Sequence, residues 1–204
     1  SLVRYMHNSG PVVNCLFLVE SMKSISRRGF LKGLSGTAFG LASVSAFGAQ
    51  VPLLASKERT LSFYNLHTGE SLDATYWADG HYIPEVLADV NHLLRDHRSD
   101  TSTAMDTRLF DMLHLLQQDL GVNKQFHVIS GYRSPETNAK LRQQSKKVAK
   151  RSYHMLGKAI DIRLPGVPLK ALGSQARALQ VGGVGYYQRS NFIHVDVGPV
   201  RAWG

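Results

Sequence analysis

Two short motifs, separated by a long stretch of chain, constrain this sequence most. Residues 152–161 read Ser-Tyr-His-Met-Leu-Gly-Lys-Ala-Ile-Asp, and residues 192–196 read Phe-Ile-His-Val-Asp. His154, Asp161 and His194 offer two imidazoles and one carboxylate, a mixed nitrogen and oxygen set that Zn²⁺ accepts in tetrahedral geometry. Three protein ligands leave a fourth position for a water that can become a nucleophile. The motifs therefore predict a catalytic zinc site.

Both motifs are predicted to lie on or beside rigid strands. The run around Asp161 alternates between polar and apolar residues, which is typical of a strand that projects the carboxylate from one face. Residues 191–197 alternate in the same way, so His194 and Asp196 share one face and the apolar residues between them occupy the other. We expect the final strand of the domain to carry His194.

These motifs resemble those of a known family. The pattern Ser-x-His-x-x-Gly-x-Ala-x-Asp, followed by a strand with His-x-Asp, is similar to the zinc peptidases of bacterial cell walls. These are the D-Ala-D-Ala carboxypeptidase and lysostaphin-like group, whose fold the hedgehog signalling domain shares. Ser-Gly-Tyr-Arg-Ser at 130–134, Gly-Gly-Val-Gly-Tyr-Tyr at 182–187 and Gly-Pro-Val-Arg-Ala-Trp at 198–203 extend the resemblance over most of residues 59–204.

The resemblance implies a function and a substrate. It is strongest to the murein endopeptidases of the group, which implies a zinc-dependent endopeptidase that cleaves peptide cross-links of peptidoglycan, with cross-links between two diaminopimelate residues preferred. A D,D- or L,D-carboxypeptidase acting on stem peptides is the first alternative. The second is a non-catalytic, metal-stabilised domain that binds the cell wall.

The start of the chain carries an export signal. Residues 26–32, Ser-Arg-Arg-Gly-Phe-Leu-Lys, form a twin-arginine motif, and a short apolar stretch rich in small residues follows. That stretch is too short to form a transmembrane helix. We therefore predict export to the periplasm by the twin-arginine pathway. The predicted segments are an upstream extension at 1–21, a signal peptide at 22–49, a linker at 50–58 and the zinc peptidase domain at 59–204.

The net charge and the cysteine content limit the classes of partner that we expect this domain to bind. Cys15 is the only cysteine and precedes the predicted leader, so the domain has no disulfide. Residues 1–49 hold five of the 24 basic and one of the 15 acidic residues, which leaves 19 and 14 and a net charge of +5 for the rest. A basic surface attracts polyanions, and the leader favours peptidoglycan over nucleic acid. We expect a monomer.

Hydrophobic patterns predict the fold. Residues 60–67 and 71–77 are predicted to form a hairpin, and residues 126–130 another strand. Helices are expected from Pro84, over residues 109–120 with Asp106 as the cap, after Ser134, and over 168–179. Together these elements predict one α+β domain, with a small, mostly antiparallel sheet and helices packed on it, as in the hedgehog and D-Ala-D-Ala peptidase fold.

Amide hydrolysis also needs a cation for the developing oxyanion and a proton acceptor for the attacking water. The resemblance places Arg133 near the substrate, where it holds the scissile carbonyl or a peptide carboxylate; a structural salt bridge is the alternative. Relatives supply the base two or three residues before the last zinc ligand, but Asn191 and Phe192 cannot accept a proton there. Asp196 is predicted to be the base, with orientation of an imidazole as its alternative role.

Tyrosines near these motifs are the candidate substrate contacts. Tyr132 precedes Arg133, Tyr153 precedes His154, and Tyr187 ends the segment 182–187. An aromatic ring with a hydroxyl suits a peptide substrate, although packing explains each of these residues equally well.

Overall fold

A computed structural model describes residues 57–145 and 148–204. The predicted upstream extension at 1–21, the signal peptide at 22–49 and nearly all of the linker at 50–58 lie outside the described residues. Within the described ranges, no helix has both the length and the apolar character needed to cross a membrane.

The centre of the domain is one mixed sheet, to which the described residues contribute eight strands. The strands are β1 Glu58–Asn65, β2 Ser71–Ala78, β3 His81–Tyr82, β4 Phe126–Ser130, β5 Ala159–Arg163, β6 Gly183–Tyr187, β7 Phe192–Asp196 and β8 Arg201–Trp203. Their order across the sheet is β3-β2-β1-β4-β5-β7-β6-β8. Two of the neighbouring pairs are parallel, β1 with β4 and β6 with β8, and the other five are antiparallel.

The predicted α+β class and the mostly antiparallel sheet are confirmed. One detail of the strand prediction is wrong, because His194 lies on β7 and a further strand follows it. Strand β8 is only three residues long, which is too short to show a convincing alternation of apolar and polar residues.

Four α-helices lie within the described residues: α1 Pro84–Leu93, α2 Thr107–Asp119, α3 Pro135–Gln144 and α4 Leu169–Ala178. Two predicted caps are confirmed, since the side chain of Asp106 accepts a hydrogen bond from the Arg108 amide and that of Ser134 accepts one from the Thr137 amide. These bonds satisfy amide groups that have no partner in the first turn of a helix.

The hydrophobic core lies between one face of the sheet and the helices α1, α2 and α4. Phe63 of β1 contacts Phe110 of α2 edge to face, with ring centroids 6.5 Å apart. Ile193 of β7 faces Gly173 of α4. Because successive strand residues point to opposite faces, the alternate residues of β5 and β7 are left on the side of the sheet away from the helices.

The loop that carries Arg133 is fastened to the end of α1. Gly131 lies so close to Leu94 that a Cβ added there would be 2.4 Å from the Leu94 carbonyl oxygen. The Tyr132 amide donates to that same oxygen at 2.7 Å. Asp96, which is 2 % exposed, accepts hydrogen bonds from the Ser134 amide at 2.9 Å and the Arg98 amide at 3.1 Å. The backbone on either side of Arg133 is thereby fixed.

Asp96 is ionised in this setting. Burial raises the pKa of its carboxyl, but hydrogen bonds from Thr137, Ser134 and Arg98 outweigh that effect and hold the pKa at about 2. A carboxyl whose pKa is lower in the folded than in the unfolded chain stabilises the fold above its unfolded pKa of about 3.9. That stabilisation is lost as the pH falls through the folded value.

We expect Asp96→Asn to lower the free energy of unfolding by about 1–3 kcal/mol at neutral pH, because it removes a charged acceptor of buried hydrogen bonds. The difference from the wild type should shrink between about pH 4 and pH 2, where the wild-type carboxyl becomes protonated. Urea unfolding at several pH values measures both effects. Asp100→Asn is the control, since that side chain is 81 % exposed. Equal stability of Asp96→Asn and wild type at pH 7 would contradict the assignment.

Candidate metal centre

Two of the predicted ligands face each other across neighbouring strands. Asp161 of β5 is the direct partner of His194 in the antiparallel pairing with β7. Residues opposite each other in such a pair project from the same face with Cβ atoms about 4.5–5.5 Å apart. Their apolar neighbours Ile160, Ile162, Ile193 and Val195 are buried on the other face.

The third predicted ligand comes from a turn that precedes β5. His154 lies in a 3-10 turn, Tyr153–Leu156, and its amide donates to the Ser152 side chain. Gly157 ends the turn with φ +64°, and a Cβ there would be 2.5 Å from the Ala104 carbonyl oxygen. Glycine adopts this left-handed conformation without steric cost, which allows the chain to enter β5 directly after the turn.

The geometry of the three side chains fits a tetrahedral metal ion. His154 Nε2 lies 3.1 Å from His194 Nδ1 and 3.3 Å from Asp161 Oδ1, and the latter two atoms are 2.9 Å apart. Zinc bonds of about 2.0–2.1 Å at tetrahedral angles would separate the ligand atoms by about 3.3 Å. The three atoms therefore form nearly one face of the required tetrahedron, without rearrangement.

Both imidazoles are fixed so that their free nitrogens point at this face. The Nδ1 of His154 is 2.7 Å from the Gly131 carbonyl oxygen, and the Nε2 of His194 is 2.9 Å from Asp196 Oδ2. An oxygen acceptor at each of these nitrogens favours a ring proton there. Asp161 Oδ1 lies 2.9 Å from the other nitrogen of His194, Nδ1, which would give up any proton to a bound cation. The lone pairs of the other two nitrogens are then available to a cation, which is the usual arrangement of histidine ligands.

The electrostatics of the site also favour a positive charge. Burial raises the pKa of Asp161, but the two imidazoles lower it well below its usual range. Burial lowers the pKa of His194, yet its hydrogen bonds to Asp161 and Asp196 raise it to about 8. Because His154 and Asp161 are only 3 % and 7 % exposed, their mutual interactions are poorly screened by solvent. A bound cation relieves the negative charge that the carboxylates concentrate here.

Arg133 lies beside Asp161 with unused hydrogen-bonding capacity. Its nearest carboxylate contact is Nη2 to Asp161 Oδ2 at 3.9 Å, and its contacts to Asn138 and Ser130 are both 3.4 Å long. Its buried Nε has no hydrogen-bond partner among the described residues. Burial lowers the pKa of Arg133, and Asp161 opposes that shift. A guanidinium engaged only by long contacts is suited to bind an additional oxygen acceptor.

Asp196 is placed behind His194, with no exposed surface. Its oxygens accept hydrogen bonds from His194 Nε2, from both terminal nitrogens of Arg201, and from the Gly183 and Gly198 amides. Burial raises its pKa, but the bonds from His194 and Arg201 hold it at about 2. The carboxylate is therefore ionised, and it contacts the side of the imidazole opposite to Asp161.

The tyrosines divide into two groups. Tyr153 and Tyr187 line the cleft that opens onto the three predicted ligands, together with Arg133, Phe192, Arg201 and Trp203. Tyr132 packs against the hydrophobic core and is not among the lining residues. Only two of the three predicted tyrosine contacts therefore face the cleft.

Comparison with known proteins identifies the family. Residues 53–203 match the family described as peptidoglycan L,D-endopeptidase MepK. The chain is 44 % identical over 173 residues to the protein of that name from Escherichia coli K12, which covers 85 % of this chain and 94 % of the relative. The chain belongs to the MepK family.

Another family member, the probable peptidoglycan L,D-endopeptidase MepK of Haemophilus influenzae, is 45 % identical over 171 residues, covering 83 % of this chain and 91 % of the relative. No solved structure shows significant similarity to the chain. The family match and these identities confirm the predicted relationship to the murein endopeptidases.

Within this MepK-family domain, the sequence motifs left two contributors to the site unassigned. Arg201 and Trp203 of β8 reach Asp196 and His194, with the Trp203 ring centroid 5.3 Å from that of His194. A partial signal is present in the alternating glycines at 183 and 185, since glycine inside a strand often marks a close approach by another group.

Proposed function

We propose that this protein is a zinc-dependent L,D-endopeptidase that hydrolyses peptide cross-links of peptidoglycan, with the bond between two diaminopimelate residues as its substrate. The observation that supports this proposal most is the cluster of His154, Asp161 and His194 in a chain that belongs to the MepK family. Each imidazole has an oxygen acceptor on the side away from the cluster. The curated relatives bear the name of that activity.

The role of each residue in catalysis follows from its contacts in and beside the cleft. Zinc held by the three side chains would polarise the scissile carbonyl and activate a water for attack. Gly131 and Asp196 keep the imidazoles oriented towards the ion. Arg133 supplies a partly buried guanidinium that is held only by 3.4 Å contacts to Asn138 and Ser130. It is placed to bind the carbonyl oxygen as negative charge develops on it, or a carboxylate of the peptide.

Asp196 is assigned the orienting role rather than the role of general base. A base must reach the proton that it removes, within about 3 Å or through one water. Asp196 is fully buried, lies on the far side of the His194 ring from Asp161, and has both oxygens occupied by donors. This geometry argues against the base role that the sequence favoured.

Export to the periplasm by the twin-arginine pathway is part of the same proposal. Its support is the motif at 26–32. A domain without cysteine after Cys15 also fits this pathway, which carries folded proteins, because it needs no disulfide formed in the periplasm. Cell fractionation would place the protein with periplasmic markers. Retention in the cytoplasm would refute this part of the proposal.

Digestion of purified, cross-linked muropeptides tests the activity. An endopeptidase separates two stem peptides, a carboxypeptidase releases one terminal amino acid, and a wall-binding domain gives no product. Mass spectrometry distinguishes these outcomes, and a chelator followed by added zinc establishes the metal requirement. Release of single amino acids alone would replace the endopeptidase with the carboxypeptidase alternative.

The first variant test concerns the ligands. His154→Ala leaves two ligands, which hold zinc poorly, so we expect zinc content to fall from about one ion per chain to near zero and activity to be lost. Metal analysis of the purified protein measures this. His92→Ala, an exposed position on α1, is the control and should keep its zinc. Full occupancy in His154→Ala would refute the ligand assignment.

A second variant tests Arg133. Arg133→Lys keeps the charge but loses the planar fork, so turnover should fall by about one to three orders of magnitude with zinc content unchanged. Arg142→Lys, at an exposed position on α3, serves as the control. If Arg133→Lys retains wild-type turnover, Arg133 is a structural residue.

The third variant separates the two roles of Asp196. Asp196→Asn should weaken zinc binding by about ten- to a hundredfold, because the His194 ring loses its charged acceptor. Activity should then recover when excess zinc is supplied. A general base would give a different result, with zinc still bound and turnover lower by about two to four orders of magnitude. Titration of zinc during the cleavage assay distinguishes the two roles.

A further inference from the structure

Two rows of residues cross the sheet from its edge strand β8 to the strand that carries His194. In the first row, Arg201 of β8 pairs with Gly183 of β6, which pairs with Asp196 of β7. In the second row, Trp203 pairs with Gly185, which pairs with His194. Each row therefore has a large side chain at the edge, glycine in the middle and a site residue at the inner end.

The glycines make contact across the middle strand possible. A Cβ added to Gly183 would lie 2.5 Å from Arg201 Nη1 and 2.6 Å from Asp196 Oδ2. One added to Gly185 would lie 2.6 Å from the Trp203 ring. Neighbouring strands are about 4.8 Å apart, so a side chain from β8 must pass over β6 to reach β7. The side chains of Arg201 and Trp203 cross β6 at Gly183 and Gly185, which have no side chains of their own.

Arg201 uses this space to hold Asp196 at both oxygens. Its Nη2 lies 2.7 Å from Oδ2, and its Nη1 lies 3.1 Å from Oδ1. The guanidinium carbon is also 5.3 Å from the Tyr153 ring centroid and 5.0 Å from that of Trp203, within the range of cation–π attraction. The guanidinium group is thus held by the two aromatic rings as well as by the Asp196 carboxylate.

We propose that Arg201 is a positioning residue for His194. Two parallel hydrogen bonds fix the plane of the Asp196 carboxylate. The fixed Oδ2 accepts the Nε2 proton of His194, which turns Nδ1 towards Asp161 and His154. Arg201 thereby contributes to metal affinity through Asp196 and His194 rather than as a ligand. The inference rests on the metal-binding part of the proposed function.

The test measures the zinc dissociation constant of the full chain by competition with a chromogenic chelator. Arg201→Met keeps the aliphatic stem but removes the fork, and we expect the constant to rise about ten- to a hundredfold. Arg201→Lys restores one charged donor, so the constant should lie between those of Arg201→Met and the wild type. Arg177→Lys, an exposed change on α4, should bind zinc as tightly as the wild type.

A spectroscopic readout separates positioning from a general effect on folding. In the metal-free protein at an alkaline pH where the His194 ring is neutral, its ¹⁵N shifts report which nitrogen carries the proton. We expect the wild type to show the Nε2–H form while Arg201→Met shows a mixture of forms. Thermal unfolding run in parallel reports whether the variants are folded. If Arg201→Met does not fold, Arg201→Lys alone decides.

The outcomes distinguish this inference from the proposed function. Wild-type zinc affinity and a wild-type His194 tautomer in the folded Arg201 variants would overturn the inference, even if the wild-type protein cleaves cross-linked muropeptides. Conversely, weakened zinc binding in these variants would support it even if the wild type cleaves no cross-link, in which case the proposed function alone fails.

Discussion

Strands β5 and β7 pair so that Asp161 lies directly opposite His194, and the rest of the site is arranged around this pair. A slip of one residue in this register would move every side chain of one strand to the other face of the sheet. The buried residues Ile160, Ile162, Ile193 and Val195 oppose such a slip, because each would leave the core. The hydrophobic effect on one face thus fixes the position of the ligand atoms on the other.

The hydrogen-bond partners of a buried carboxylate determine its role in this domain, as three examples show: Asp96, Asp161 and Asp196. Asp96 is satisfied by backbone amides and fixes the Arg133 loop. Asp196 is satisfied by Arg201, two amides and an imidazole, which leaves it no capacity for a further partner. Asp161 has two imidazoles and a distant guanidinium around it, and it is the one that retains affinity for a cation.

The sequence was sufficient to predict the parts of the site that depend on the spacing of motif residues and on the periodicity of polar and apolar residues. The triad of His154, Asp161 and His194, the shared face of His194 and Asp196, and the Ser134 cap all follow from such patterns. The structure brings the triad together within 4.8 Å, and its role as the metal site stays a prediction.

Other features depend on groups that leave no sequence pattern. The acceptor for His154 is the Gly131 carbonyl, a backbone group that every residue type carries. The role of Asp196 depends on which side of the His194 ring it contacts. The alternation of polar and apolar residues along β7 predicts only the face of the sheet on which Asp196 lies. Strand β8 is placed by its pairing with β6 rather than by its own three residues.

The alternation along β7 also has a consequence for how this domain can change. Ile193 and Val195 face the helices, while His194 and Asp196 lie on the face of the sheet that carries the site, so one short strand serves two environments separated only by its backbone. Volume-conserving exchanges on the helix side are generally tolerated by hydrophobic cores. Exchanges on the helix side that keep the volume and the strand register can therefore accumulate while the other face keeps its residues.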